Sequence, residues 1–230
     1  MEKSIPLHLP MKLFTEIKHL TIKEIRLEWR QKYAFNGLLL YVISTVYICY
    51  LSFKNIIEPS TWNALFWIIM LFAAVNAITK SFVQENKGRL LYYYTLTSPH
   101  SIILSKIIYN VLLMLVLSMI NLFFYSLLIG NIVQDMSLYI VSLVLGSIGF
   151  STVLTMVSAI AAKANNNGTL MAILGFPILI PLLITIIRLS KNAIDGLDWS
   201  VSYQYISILV AINVMVVALS FVLFPYLWRD

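Results

Sequence analysis

Three histidines and one cysteine are the side chains of this sequence best suited to holding a metal centre, and they are scattered: His8, His19, His100 and Cys49. The histidines fall outside the long apolar runs, so a metal centre gripped within those runs by paired histidines is not expected. Cys49 lies within an apolar run and reads as a small buried side chain; with no second cysteine it cannot close an intrachain disulfide. None of the eight glycines stands in the frame G-x-x-x-x-G-K-[ST], so the chain is not expected to supply a phosphate-binding loop of its own. Zinc-protease helices and nucleophile elbows are absent as well. The expectation is a chain without catalytic residues, resident metal or cofactor.

One polar stretch is organised enough to do mechanical work, from Ser81 through Glu85, Lys87, Gly88, Leu90, Leu91, Tyr92, Tyr93, Tyr94 and Leu96 to Ser98 and Pro99. Glu85 and Lys87 mark an exit from apolar surroundings, Gly88 permits a sharp turn, and Leu90 to Leu96 suit a short amphipathic helix ended by Ser98-Pro99. Three consecutive tyrosines need a surface. Tyr serves equally at a membrane interface and as an anchor in a protein interface, and both readings stay open.

The elements around that stretch set its solvent. A bilayer core is about 30 Å thick and a helix rises about 1.5 Å per residue, so roughly 20 apolar residues span it. Six such windows occur, at about 33–53, 62–83, 102–129, 136–162, 169–187 and 203–227. Hydrophobic residues make up 60% of the chain, charged residues only 11%, and mean hydropathy is +0.87; a soluble domain carries about a quarter charged residues. Runs such as Leu112 to Leu117 do not alternate polar with apolar, which leaves helices rather than a barrel. The fold class is therefore all-α, a polytopic membrane protein of six transmembrane helices forming one membrane domain over 1–230.

Thirteen of the sixteen Lys and Arg fall on one side if both termini share it; only Lys54, Arg188 and Lys191 fall on the other. Positive loops stay cytoplasmic, which puts both termini and the Glu85-to-Pro99 stretch in the cytoplasm, makes Lys106 part of that basic loop, and assigns the net charge of +6 to topology rather than to nucleic acid. No cleavable signal peptide is expected, because the first 32 residues are charged throughout.

Before the first span, about 12–32 forms an amphipathic helix: Lys12, His19, Lys23, Arg26 and Arg30 share an arc beside an apolar strip of Leu13, Ile17, Leu20 and Leu27. Such a helix suits the membrane interface, with a solvated charged helix as the alternative. In the fifth span Pro177 and Pro181, with Gly175 beside them, predict a kinked or interrupted helix, read either as a hinge opening a cavity or as a static bend. Asn165 to Gly168 reads as a turn and cap. Asn76, Asn110, Asn121 and Asn213 read as interhelical glue. No charge lies clearly at the centre of a span, which disfavours an ion-driven transporter.

Glu85, Gly88, Leu90 and Pro99 reproduce a loop pattern, E-x-x-G-x-L followed by S-P or L-P, that ends the second span of ABC export permeases. Lys23, Glu24, Arg26, Glu28 and Arg30 are similar to an amino-terminal charged helix, and Pro177 to Ile184 to a fifth-span signature P-x-x-I-P-L-L-I. Together these residues resemble the CcmB family, haem exporter protein B of cytochrome c maturation. That resemblance covers nearly the whole chain and departs at Leu91, where the family often has Glu. It implies an ABC permease subunit in the bacterial inner membrane, driven by a separate ATPase similar to CcmA. Membrane subunits similar to CcmC and CcmD would accompany it, with two permease copies as one arrangement, and release of a haem-loaded chaperone similar to CcmE as the outcome. Glu85, Gly88, Leu90, Tyr92, Tyr93 and Pro99 would then couple to the ATPase, ATP would be bound by that partner, and haem would ride on partner subunits, whose tryptophan-rich signature is absent here. An export permease for a lipid, glycan or drug, and a non-transporting assembly subunit, are the alternatives.

Overall fold

Two tryptophans and two glycines set the core of the bundle. Trp62 and Trp67 on the second span are fully buried, and Gly146 and Gly149 on the fourth let neighbouring helices approach closely. The computed structural model describes residues 9–30, 32–53, 58–78, 97–162 and 167–229. Among them are seven helices and no strands: α1 (Leu9–Arg30), α2 (Lys32–Phe53), α3 (Pro59–Ile78), α4 (Pro99–Leu128), α5 (Met136–Ala161), α6 (Asn167–Asp195) and α7 (Trp199–Arg229). The last six are long and apolar enough to cross a membrane, and this is a multi-pass membrane protein.

α5 is the hub, touching α3, α4, α6 and α7. Within its span 72% of residues are buried, against 22% in α7 and 11% in α2. Small and hydroxyl side chains make that position possible. A Cβ on Gly146 would stand 2.8 Å from the Trp67 ring, and one on Gly149 would stand 2.6 Å from Leu182 of α6. Close approach of this kind drives helix association where lipid offers apolar side chains no incentive to leave it. The outward faces of α2 and α7 carry Leu40, Ile48, Val214, Met215, Val222 and Tyr226, an apolar surface suited to hydrocarbon.

Helix bounds depart from the hydropathy windows where local chemistry decides them. α3 and α4 begin at Pro59 and Pro99, about one turn earlier than expected, because proline suits the first helical position. His100, expected outside the third span, therefore sits in the first turn of α4. α6 runs on to Asp195, holding Arg188 and Lys191 inside a helix rather than in a loop. A Lys191–Asp195 pair braces its last turn, and the helix ends at Gly196, whose φ of +67° suits glycine, with the Leu197 amide donating to the Asn192 carbonyl at 3.0 Å. Gly130, Asn131 and Asp135 join α4 to α5: Gly130 has φ +104°, Asn131 Oδ1 accepts from the Val133 amide, and Asp135 caps α5 by accepting from the Leu138 amide at 3.0 Å. Asp135 also accepts from Trp199 Nε1 at 2.8 Å, which ties α7 to the start of α5.

Of the two outcomes expected in the fifth span, a kink or an interruption, the interruption does not occur. α6 is continuous through Pro177 and Pro181. Both prolines face outward while Gly175 is buried, so the missing backbone donors lie on the side away from the core. One turn beyond, the Thr185 hydroxyl donates to the Pro181 carbonyl at 2.8 Å.

Candidate functional site at the start of α4

The expected coupling residues Glu85, Gly88, Leu90, Tyr92 and Tyr93 lie outside the described residues, as do Asn165 and Asn166. Pro99, the last of the coupling set, opens α4, and it is there that the amino-terminal helix meets the bundle.

α1 spends its apolar strip on protein. Leu20 is buried in a cluster with Ile102, Ile103 and Ile107 of α4, Ala159 of α5 and Phe224 of α7. On the same face stand two carboxylates. Glu16 Oε2 accepts from the Ser101 hydroxyl at 2.8 Å and from the Ser98 amide and hydroxyl at 3.3 Å each. Ser98 is the N-cap of α4, its own hydroxyl accepting from the Ser101 amide. In a capping box the glutamate three residues into the helix returns to the N-cap amide. Here that position is Ser101, and the glutamate arrives from another helix 82 residues earlier. It also sets a negative charge at the positive end of the α4 dipole.

Two turns along, Glu24 lies 3.0 Å from Lys23 and 3.7 Å from Lys106 of α4. The Lys106 side chain is only 2% exposed, so it belongs to the bundle, not to a solvated basic loop. Of the other basic residues expected on the outer arc of α1, His19, Arg26 and Arg30 are exposed; Glu28 lies on the same helix, its side chain outside the described set, as is that of Lys12. Phe14 is 75% exposed, so α1 keeps a mixed apolar and basic outer face. Sequence reasoning placed Glu24 and Glu28 in the charged helix without a partner on another helix and passed over Glu16; the available signal was Glu16, Leu20 and Glu24 at spacing four within the apolar strip.

Deeper in, α4 and α5 share a polar seam. Asn110 Nδ2 donates to Thr155 Oγ1 at 2.8 Å, and the Ser147 and Ser118 hydroxyls lie 3.4 Å apart. Asn213 Nδ2 of α7 donates to the Leu145 carbonyl at 3.2 Å. Asn110 and Asn213 thus bridge helices as expected. Asn121 is fully buried with neither amide atom hydrogen-bonded among the described residues, and Asn76 faces outward.

Near the opposite ends of α3 and α4, Tyr125 and Tyr139 meet Trp62 and Phe66 edge to face with centroids 4.8–6.0 Å apart, while Trp62 and Phe66 lie nearly parallel at 6.1 Å. Trp67 Nε1 donates to the Ser190 hydroxyl at 2.8 Å, that hydroxyl lies 2.8 Å from Asn63 Oδ1, and Asn63 Nδ2 donates to the Ile187 carbonyl at 2.9 Å. Every ring in this cluster is fully buried, so the cluster is filled by its own side chains. His19 is exposed on α1, His100 stacks on Phe221 at 4.1 Å, and among the described residues no three His, Cys, Asp or Glu gather where they could hold a metal.

The family model for the CcmB protein matches residues 15–226, from the second turn of α1 to the end of α7. The chain belongs to the CcmB protein family. Members of this family are permease-type membrane components of haem export in cytochrome c maturation and belong to ABC-type Ccm complexes with an ATPase and other Ccm subunits. Comparison with curated proteins gives no match. Residues Glu16, Ser98, Ser101, Glu24 and Lys106 all fall inside the matched region.

Proposed function

We propose that this chain is the permease subunit of an ABC-type complex in the bacterial inner membrane, worked by a separate cytoplasmic CcmA-like ATPase. CcmC-like and CcmD-like membrane subunits complete the complex, which spends ATP to release a haem-loaded CcmE-like chaperone. The match to the CcmB model over 15–226 carries this reading. Supporting it, the loop sequence Glu85 to Pro99 runs directly into the helix start that α1 clamps. Haem is cargo of the complex and rides on the partner subunits, since His19 is exposed on α1 and His100 lies in the first turn of α4 against Phe221.

The test is Gly88→Val. A β-branched side chain is strained wherever the glycine takes a conformation only glycine tolerates. In the assembled complex the variant is expected to insert normally, to hydrolyse ATP, and to lose most cytochrome c maturation. Normal ATP turnover together with normal maturation would sink the coupling role of this loop.

Orientation is tested separately. With both termini cytoplasmic, Lys87→Cys and Asp198→Cys in a Cys49→Ser background are expected to label oppositely with a membrane-impermeant thiol reagent. Asp198 is exposed in the short α6–α7 turn, a better probe than Lys191, which lies within α6. Asp198→Cys is expected to react in intact cells and Lys87→Cys only after permeabilisation. Labelling of both from outside overturns the assignment.

A further inference from the structure

We propose that Glu16 is a positioning residue for ATP coupling: by completing the cap of α4 from α1, it makes the two helices respond as one body where the chain enters the membrane bundle. This inference rests on the ABC-permease reading above.

The argument is geometric. Any displacement imposed on the polypeptide just before Ser98 is delivered to the first turn of α4, and that turn is the least self-sufficient part of the helix, because its leading amides have no intrahelical acceptor. A local side chain would satisfy them without reference to anything else. Here the acceptor of the Ser98 amide is a carboxylate on a different helix, and the same Oε2 also takes the Ser98 and Ser101 hydroxyls. Three donors lie within reach of one oxygen; the Ser98 and Ser101 hydroxyls also meet each other at 2.7 Å, so parting α1 from the start of α4 leaves the Ser98 amide and one of the two hydroxyls without this acceptor. Eight residues along α1, Glu24 reaches Lys106, two turns into α4, which fixes the relative direction of the two helices as well as their spacing. Leu20, between the two carboxylates, is buried against Ile102, Ile103 and Ile107 of α4.

A purely structural role would make Glu16 one more stabilising contact. A positioning role predicts that its loss changes how much work each ATP performs. The experiment uses the full complex with its ATPase and chaperone in lipid nanodiscs, comparing wild type, Glu16→Gln and Glu16→Ala. ATP hydrolysed, haem-loaded chaperone released and thermal midpoint are followed together. Glu16→Ala is expected to keep ATP hydrolysis while chaperone released per ATP falls about tenfold, the worth of one charge-assisted hydrogen bond. Glu16→Gln retains an acceptor oxygen and is expected to recover most of that ratio. A Glu16→Cys/Ser101→Cys pair in a Cys49→Ser background, joined by a short bifunctional thiol reagent, is expected to restore coupling that the unjoined pair lacks.

An unchanged ratio in Glu16→Ala with a lowered thermal midpoint overturns the proposal, since the contact is then only structural. A joined pair that stays uncoupled also overturns it, because the helices would have to part during the cycle. A wild-type complex whose chaperone release ignores ATP removes the permease reading itself, and the proposal with it; that outcome is separate because it appears before any substitution is made.

Discussion

Gly146→Val is expected to destabilise the bundle by about 3 kcal/mol and lower the thermal midpoint in detergent by about 10 °C. Even the first added carbon would stand 2.8 Å from two atoms of the Trp67 ring and 3.3 Å from Ile186. Trp67 has nowhere to retreat: it is 1% exposed and its indole nitrogen is committed to Ser190. Shifting the ring breaks that bond, worth about 1 kcal/mol net, on top of roughly 1–3 kcal/mol for overpacking, against a helix-propensity gain of a few tenths. Gly149→Ala is the informative comparison. Its closest neighbours are the terminal methyls of Leu182, which can rotate, with Asn213 Oδ1 at 3.0 Å. There the gain of about 1 kcal/mol for Gly→Ala in a helix offsets much of the crowding, and a shift of no more than a few degrees is expected. Shrinking the neighbour with Trp67→Leu is expected to reduce the cost of Gly146→Val, measured as a double-mutant coupling of about 1–2 kcal/mol. Equal midpoints for Gly146→Val and wild type are the result that refutes the packing argument.

Removing Glu24 is expected to have the second large effect. Glu24→Ala takes the carboxylate from beside an ammonium that is 2% exposed, and withdrawing one partner of such a pair costs about 3 kcal/mol, the low end for a buried pair because Glu24 keeps 16% exposure. Glu24→Leu with Lys106→Leu is expected to regain most of that loss, because two apolar side chains in the same space carry no desolvation cost. Arg26→Ala, on the exposed face of the same helix, is expected to change stability by less than about 0.5 kcal/mol. Thermal midpoints of the four proteins, measured in one detergent, decide the matter. If the double variant is no more stable than Glu24→Ala, the pair does not act through charge burial.

These variants and Glu16→Ala separate two jobs at one helix contact. Glu24 is argued to hold α1 in place energetically; Glu16 is argued to hold it in register with the entry of α4. Stability reads the first and chaperone released per ATP reads the second.

The sequence by itself determined the solvent, the all-helical class and the six spans. All of these depend on residues within a few positions of one another, and composition or spacing exposes them. Tertiary structure decided which helix stands in the middle. α7 is the most apolar span, yet only 22% of it is buried, whereas α5 is 72% buried. In a bilayer, lipid receives apolar side chains as readily as protein does, so hydropathy identifies a span without ranking its burial; small and hydroxyl side chains that allow close approach do the ranking. Tertiary structure also decided the partners of the charges. Lys106 resembled one more basic residue of a cytoplasmic loop, and Glu16 an acid on a basic helix. Only the packing of α1 on α4, across 82 residues of chain, made one the buried partner of Glu24 and the other the missing half of a helix cap.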